Sequence, residues 1–274
     1  MMEIKKIEVD KDSIREIARF LSESFPKTDR FTEEFVCWQY AENPLGAMEG
    51  FNAWGGDRII SHFAGLPIEM NLWGSKRRGL LCINVSTKKE HRGKMLFSQL
   101  GQKTVEYASE EGYDFLIAVP NGNSSHAFLK YFGFYRISQL DVKVGIGANI
   151  YREKVFNCFK TWDDEQWKWR LRSPINKYYY KKDRIYSPIS FFAKTISEAE
   201  SLENLRMNIS NKMGIRPLNL YIGLGADTAK GIYLNMPSFI KRSPFNLVFK
   251  DLRGDIPKIE KEDIFLQLID LDTI

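Results

Sequence analysis

The chain has 274 residues, of which 43% are hydrophobic and 27% charged, and its formal net charge is +5. This balance is typical of a globular protein with a sizeable core and argues against disordered and fibrous classes. No stretch reaches the roughly 20 apolar residues of a membrane span, and the start lacks an apolar signal region, so we expect a cytoplasmic protein without a membrane span. Cys37, Cys82 and Cys158 are not closely spaced, which argues against a disulfide framework and a metal site.

The first half of the chain predicts, in order, a strand, two helices, three antiparallel strands, and then helix, strand, helix and strand. Hydrophobic periodicity and turn residues place these elements at residues 4–9, 12–24, 32–41, 51–54, 58–73, 80–85, 97–112, 115–119, 124–133 and 134–144. Pro67 predicts a bulge or break in the long strand, and Ser124 or Ser125 can cap the last helix. The pattern indicates a mixed α/β fold of the α+β kind.

A basic turn lies at the centre of this pattern, at residues 92–95. An apolar strand over 80–85 precedes it, and Phe97 and Leu100 begin the apolar face of the helix that follows. A strand that ends in a tight turn at a helix start directs unpaired backbone N–H groups and the positive end of the helix dipole at one point. The turn therefore predicts a site for an anion, most often a phosphate.

A second motif follows one element later. Residues 115–119 are uniformly apolar, which is typical of a strand buried within a sheet. Asn121 and Ser124 follow this strand, and Gly133 ends the next helix. The two motifs lie on elements that the predicted order places side by side.

The order of the elements and two runs of sequence resemble the GNAT superfamily of N-acetyltransferases. The runs are VSTKKEHRGKMLFSQL, at residues 85–100, and FLIAVPNGNSSHAFLKYFGF, at residues 115–134. The resemblance covers about residues 50–145 and implies a GNAT-like, mostly antiparallel mixed sheet flanked by helices. In this family a loop of the form Arg/Gln-x-x-Gly-x-Gly/Ala binds the pyrophosphate of acetyl-coenzyme A (acetyl-CoA) through backbone N–H groups.

The resemblance implies a cofactor site on both motifs. Its residues are Val85, Ser86, Arg92, Gly93, Lys94, Met95, Leu96 and Phe97 on the first motif, and Asn121 and Ser124 beside the pantetheine arm on the second. Only Arg92 matches the three signature positions of the loop, because Met95 and Phe97 stand where small residues are usual. A backbone N–H near Val85 or Ser86 would polarise the thioester carbonyl.

The candidates for a general base are three polar side chains. The position that is often acidic in related bacterial sequences is Asn84, and an asparagine can orient an amine or a water but cannot take a proton at neutral pH. Glu69 and His62 are the alternatives on the long strand. They are seven residues apart and so face opposite sides of a regular strand.

The general acid has no clear counterpart in the sequence. The family's usual tyrosine falls at Phe128 or Leu129, and Tyr131 is displaced from it by at least two positions, which turns a side chain about 200° around a helix. Tyr131 stays a candidate, and Ser124, Ser125 or water could protonate the thiolate instead.

The second half echoes the first and predicts a duplicated unit. Trp38 and Trp169, and Asp57 and Asp183, fall in short matching runs at similar separations. We therefore expect a GNAT acyl-CoA-binding domain at 1–147 and a degenerate GNAT-like domain at 148–274 that completes the acceptor groove. Its predicted elements are a helix at 197–213 and strands at 218–222 and 264–271.

The resemblance implies an acetyl-CoA-dependent N-acetyltransferase. Tandem GNAT proteins of bacterial surface-polysaccharide pathways are similar in arrangement, which suggests a small amine acceptor, an amino sugar or a nucleotide-linked amino sugar. The basic and aromatic run at 167–184 suits phosphate binding and sugar or base stacking. Two alternatives stay open: Fem-like transfer of an aminoacyl or fatty-acyl group, and a GNAT-like protein that binds acyl-CoA without catalysis. A nucleic-acid partner is not expected, and the sequence does not predict the oligomeric state.

Overall fold

The computed structural model describes residues 2–147, 151–152, 155–181, 183–199, 202, 214–227, 232–236 and 245–271. The first half contains β1 (Met2–Lys6), α1 (Lys11–Ser24), α2 (Glu33–Tyr40), β2 (Glu49–Gly55), β3 (Arg58–Leu72), β4 (Ser75–Thr87), α3 (Leu96–Glu110), β5 (Phe115–Ala118), α4 (Gly122–Tyr131), β6 (Tyr135–Gln139) and β7 (Asp141–Ile146). The second half contains β8 (Tyr151–Arg152), β9 (Cys158–Lys160), α5 (Asp164–Leu171), β10 (Tyr179–Tyr180), β11 (Arg184–Pro188), β12 (Ala193–Glu198), β13 (Leu218–Leu224), β14 (Ala226–Asp227), β15 (Ile232–Asn235), β16 (Asn246–Asp251), β17 (Ile264–Gln267) and α6 (Leu268–Leu271).

The predicted mixed fold with a mostly antiparallel sheet is confirmed. Strands β1 to β4 pair antiparallel in sequence order, and β5 pairs parallel to β4. Side chains alternate between the two faces of the sheet, so that Ala64 packs toward α1 and α2, whereas Phe63 packs toward α3 and α4. None of the helices in these ranges is long and apolar enough to cross a membrane.

The structure differs from the prediction at the starts of two helices and at Pro67. Asp10 caps α1, because its carboxylate accepts from the backbone N–H groups of Asp12 and Ser13. Asn121, rather than Ser124 or Ser125, precedes α4 and binds its first turn. Pro67 pairs regularly with Leu80, so the predicted irregularity at Pro67 is absent.

The second half departs further from the prediction. Residues 193–198 form strand β12, where the start of a helix over 197–213 was predicted, and residues 203–213 lie outside the described part of the chain. The last predicted strand is confirmed over Ile264–Gln267, after which the chain turns into α6.

The two halves exchange a strand. Strand β16, from the second half, lies between β5 and β6 of the first half. Strand β7, from the first half, lies between β13 and β15 of the second half. All four pairings are antiparallel, so each half completes the sheet of the other in the same way.

Other elements repeat between the halves in the same order. Strands β10, β11 and β12 pair antiparallel and β13 joins β12 in parallel, as β2, β3, β4 and β5 do in the first half. Helices α2 and α5 meet through Trp38 and Trp169, whose rings stack with centroids 4.8 Å apart. Each indole Nε1–H donates to the other residue's backbone carbonyl, at 2.9 Å and 3.0 Å.

Candidate functional site

A β-bulge interrupts the pairing of β3 with β4. His62 lies opposite Ser86 and Ala64 lies opposite Ile83, so two residues of β4, Asn84 and Val85, face one residue of β3. Asn84 has φ of 54°, a left-handed conformation that asparagine tolerates better than most residues. The bulge redirects β4 at the point where it leaves β5.

Strand β4 has an open edge beyond the bulge. Its ladder with β5 ends at Cys82 and Ala118, whereas its ladder with β3 continues to Thr87. Residues 84–87 are all partly exposed, and in the described ranges no strand pairs with them on the β5 side. Backbone polar groups that lack a strand partner are available to a ligand.

The turn from β4 to α3 contains two left-handed residues. Gly93 has φ of 79° and Met95 has φ of 59°, and Met95 stands at the N-cap of α3 without a side-chain hydrogen bond to the helix. The side chain of Met95 is 54% exposed, so it does not fill the turn. The first N–H groups of α3 therefore lack a side-chain cap, which leaves them able to bind an anion.

A cavity of about 370 Å³ lies beside this turn, against the end of α1. Its wall includes Ser86, Arg92 and, from the α1 side, Glu23. The Arg92 Nε–H donates to the backbone carbonyl of Thr87 at 3.2 Å, which holds the guanidinium against the end of β4. Lys88 binds the Glu23 carboxylate at 2.7 Å, and this contact lowers the pKa of Glu23.

A chain of buried hydrogen bonds leads away from the bulge. The Nδ2 atom of Asn84 lies 2.6 Å from Gln39 Oε1 and 3.1 Å from Tyr40 Oη. The Tyr40 hydroxyl lies 2.8 Å from His62 Nε2, and His62 Nδ1 lies 2.5 Å from Asn52 Oδ1. The structure thus brings two predicted site residues, Asn84 and His62, into one network.

His62 is neutral in this network. Its side chain is fully buried, and burial lowers its pKa to about 3. Both ring nitrogens have hydrogen-bond partners, and neither faces the open edge of β4. These features argue against His62 as the general base.

Gln39 and Tyr40 are site residues that the sequence does not reveal. Both stand at the end of α2 and are fully buried. The predicted helix over 32–41 places them on a helix, but a polar side chain inside the core gives no periodic signal. Only the packing of α2 over β3 and β4 shows that they reach the bulge.

Two predicted catalytic candidates lie away from the bulge. Glu69 is seven residues from His62 along β3, or about 23 Å, and binds Lys76 at 2.6 Å near the β3–β4 turn. Tyr131 lies in the last turn of α4, is 41% exposed, and contacts the ring of His126. The structure does not bring either side chain to the open edge.

The second motif lies at the start of α4. The Oδ1 atom of Asn121 accepts from the Ser124 backbone N–H at 3.1 Å, as a helix cap does. Both residues therefore sit at the end of α4 that follows strand β5. Val119 and Pro120 join them to the point where β5 leaves β4.

Phe97 has a packing role. It joins an aromatic cluster with Phe63, Phe128 and Phe132 that fixes α3 and α4 on the sheet, with ring centroids 5.4–6.1 Å apart. Phe128, one of the two positions where the resemblance implies a tyrosine, is buried in this cluster. A phenyl ring there cannot donate a proton.

The part of the basic run at 167–184 that lies on α5 does not form one surface. Trp167 and Arg170 are buried against the rest of the second half, and Lys168 binds Glu165 at 2.6 Å. Helix α5 supplies all three residues, so its periodicity separates charges that are adjacent in sequence.

Comparisons with known proteins agree with this arrangement. The family described as the acetyltransferase (GNAT) domain matches residues 4–137. No curated protein matches the chain significantly.

Solved structures match over most of the chain. A conserved protein of unknown function from Enterococcus faecalis V583, described as a probable N-acyltransferase, and a GCN5-related N-acetyltransferase from Anabaena variabilis ATCC 29413 each have a TM-score of 0.62 and 13% identity, over 92% of this chain and 73% of theirs. A GCN5-related N-acetyltransferase from Kribbella flavida has a TM-score of 0.57 and 12% identity, over 91% of this chain and 72% of its own. These TM-scores, over more than nine-tenths of the chain, show a shared fold that extends into the second half. The family match identifies residues 4–137 as a GNAT acetyltransferase domain.

Proposed function

We propose that this protein transfers an acetyl group from acetyl-CoA to the amine of a small molecule. The observation that carries the proposal is the open edge of β4 at residues 84–87, which the turn at residues 88–95 joins to the uncapped start of α3. A thioester bound along such an edge meets backbone groups, and its phosphates meet the helix dipole. The match to a GNAT domain supports acyl transfer in general. The identity of the donor, acetyl-CoA, is part of the proposal.

The geometry of the turn and of the two motifs supports the proposed cofactor site. The pyrophosphate binds the backbone N–H groups of residues 93–97, with positive charge from Arg92 and Lys94. The pantetheine arm lies between β4 and the start of α4, so that Val85 and Ser86 flank it on one side and Asn121 and Ser124 on the other. Gly93 leaves open space above its backbone, which allows a close approach by phosphate.

The acceptor is proposed to be an amino sugar or a nucleotide-linked amino sugar. The cavity of about 370 Å³ shares Ser86 and Arg92 with the proposed cofactor site and therefore adjoins it, and its volume is within the size range of small-molecule sites. Its wall carries both Glu23 and Lys88, so it suits a polar ligand better than an apolar one. The proposed second domain, residues 148–274, would support this groove through the contact of Trp38 with Trp169.

A non-catalytic acyl-CoA-binding protein is the second candidate. Phe128 is aromatic but has no hydroxyl, Asn84 cannot accept a proton at neutral pH, and the predicted acid Tyr131 lies on the surface. Acetyl transfer does not strictly need these groups, because positioning of the two substrates supplies much of the rate and a thiolate leaves easily. Turnover therefore distinguishes the two candidates.

The test begins with acetyl-CoA binding by titration calorimetry. We expect Lys94→Glu to weaken binding at least about 10-fold, because it places a negative charge beside the phosphates. Lys11→Glu is the matched control, since Lys11 begins α1 at the end opposite to Glu23. Absence of binding by the wild type, or equal binding by both variants, would contradict the proposed cofactor site.

Turnover is then measured by release of free thiol with a panel of amino sugars, nucleotide-linked amino sugars, polyamines and peptides. We expect turnover with an amino sugar and none with peptides. Binding of acetyl-CoA without turnover of any amine would favour the binding protein.

A further inference from the structure

The buried network beside the bulge has a defined donor direction. Asn52 lies directly opposite His62 on β2, and its Oδ1 atom can only accept, so His62 Nδ1 carries the proton. A neutral imidazole has one protonated nitrogen, and His62 Nε2 must therefore accept from the Tyr40 hydroxyl at 2.8 Å. The Tyr40 oxygen in turn accepts from Asn84 Nδ2 at 3.1 Å.

This direction fixes the orientation of the Asn84 carboxamide. Its two N–H groups donate to Tyr40 Oη and Gln39 Oε1, both of which belong to fully buried residues. The Oδ1 atom is consequently on the side away from the buried network. Asn84 itself is partly exposed and belongs to the open edge of β4, and Oδ1 is the carboxamide atom that the buried network does not use.

We propose that Asn84 binds the acceptor amine through Oδ1, and that Tyr40 and His62 are positioning residues that hold this carboxamide in place. The inference rests on the proposed function and adds residues that act through Asn84 rather than on the substrate. Tyr40 and His62 stay neutral and do not touch the substrate. A rotated carboxamide would present N–H groups, which repel an amine N–H instead of binding it.

The chemistry needs orientation rather than a relay of protons. An N–H of the neutral amine donates to Asn84 Oδ1, which directs the nitrogen lone pair at the thioester carbonyl carbon. The C–N bond forms, the C–S bond breaks, and the electron pair of the C–S bond goes to the sulfur. The surplus proton on nitrogen passes to water, and the thiolate takes a proton from water. Asn84 and Asn52, at the two ends of the network, cannot carry a proton.

The tautomer of His62 tests the orientation without any activity. The chain has three histidines, so the ¹⁵N–¹H spectrum of histidine-labelled protein contains few ring signals to assign. We expect His62 to be neutral and protonated at Nδ1 between pH 5 and 8, and we expect His62→Gln to remove that signal. A proton on Nε2 would reverse the network, would turn the carboxamide nitrogen outward, and would overturn the inference.

Kinetics of variants test the role of the network. We expect Tyr40→Phe to lower kcat about 10-fold and Asn84→Gly about 100-fold, each with an unchanged dissociation constant for acetyl-CoA. Glycine suits the left-handed backbone at this position, so Asn84→Gly removes the side chain without backbone strain. The double variant should be no slower than Asn84→Gly alone, because Tyr40 acts through Asn84.

The control is Tyr135→Phe, which also removes a hydrogen-bonded tyrosine hydroxyl. The Tyr135 hydroxyl accepts from the backbone N–H of Ile259 at 2.9 Å and lies on β6. We expect Tyr135→Phe to leave kcat unchanged. Additive losses of kcat in the double variant, or a normal kcat in Tyr40→Phe, would overturn the positioning role of Tyr40. Turnover by the wild type would still support the proposed function. Wild-type protein that neither binds acetyl-CoA nor acetylates an amine would instead contradict the proposed function itself.

Discussion

His62 couples the folding of this protein to pH. The side chain ordinarily titrates near 6.5, and burial lowers its pKa in the folded state to about 3. Between these two values the unfolded chain binds a proton that the folded protein excludes. The neutral ring therefore stabilises the fold above about pH 6.5, and this contribution falls as the pH drops toward 3.

We predict that the wild type loses about 1.6 kcal/mol of stability through this group between pH 6.5 and pH 5, because the slope approaches 1.36 kcal/mol per pH unit only below the pKa of the unfolded histidine. Urea unfolding at the two pH values measures the loss. His62→Gln cannot titrate and should show a smaller loss, by about that amount. His126→Gln changes an exposed histidine and should retain the wild-type loss. If the wild type and His62→Gln lost the same free energy of unfolding between the two pH values, His62 would be protonated in the folded protein.

Single residues also show how far the sequence predicts the site. Asn84 was identified by its position before Arg92, and the structure places it at the bulge and the open edge. His62 was a candidate base, and the structure shows a buried neutral ring instead. Tyr40 was not identified, because its role depends on the contact of α2 with β3 and β4, which are distant in sequence. Local patterns do not encode such contacts.

The turn between β4 and α3 is a strained element. Met95 adopts φ of 59°, and a left-handed conformation costs a residue with a side chain about 1–2 kcal/mol. Its side chain is largely exposed and recovers little of this cost by packing. Gly93, two residues earlier, adopts a left-handed conformation without that cost. The strain therefore falls on one residue of the turn.

We predict that Met95→Gly stabilises the protein by up to about 1 kcal/mol, because relief of the strain exceeds the added entropy of the unfolded chain. Chemical denaturation measures the change. Lys94→Gly is the matched control, since Lys94 has no positive φ, and it should destabilise by about 0.5–1 kcal/mol. Destabilisation by Met95→Gly as large as that of the control would show that Met95 contributes packing that offsets its backbone.

Elements were predicted best where one strong local pattern decides them. The hairpin of β2 with β3 follows from Gly55-Gly56-Asp57, and α3 from its apolar spacing. Residues 193–196 were not predicted as a strand, and residues 197 and 198 were predicted to begin a helix, because a short, partly polar strand has no distinct periodicity. The pairing of β12 with β11 and β13 decides its conformation. Pairing between distant strands is a tertiary effect that outweighs local propensity.

The molecule as a whole is interleaved. Each half contributes one strand to the interior of the other half's sheet. The proposed division at residue 147 therefore separates β7 from the two strands that pair with it, β13 and β15. This reciprocal pattern supports the proposed duplication, because two related units that swap equivalent strands produce it. It also makes the two proposed domains depend on one another for folding.

We predict that residues 1–147 expressed alone do not form a stable fold, since β5 and β6 lack the strand between them and expose unpaired edges. Co-expression with residues 148–274 should restore soluble protein that contains both fragments. Circular dichroism and size-exclusion chromatography measure the outcome, with the intact chain as the reference. A monomeric, cooperatively unfolding fragment 1–147 would contradict this interdependence.

The exchange of β16 also constrains the time at which the sheet can form. Ala118 pairs with Val248, so about 130 residues must be synthesised after β5 before its partner exists. At roughly 5–20 residues per second, the ribosome takes on the order of 10 s to supply them. Emergence of its own residues from the ribosome is therefore not sufficient for the GNAT domain to finish folding, because β16 is still missing. Until then it exposes two strand edges, and those edges are where a chaperone would bind or where neighbouring nascent chains would aggregate.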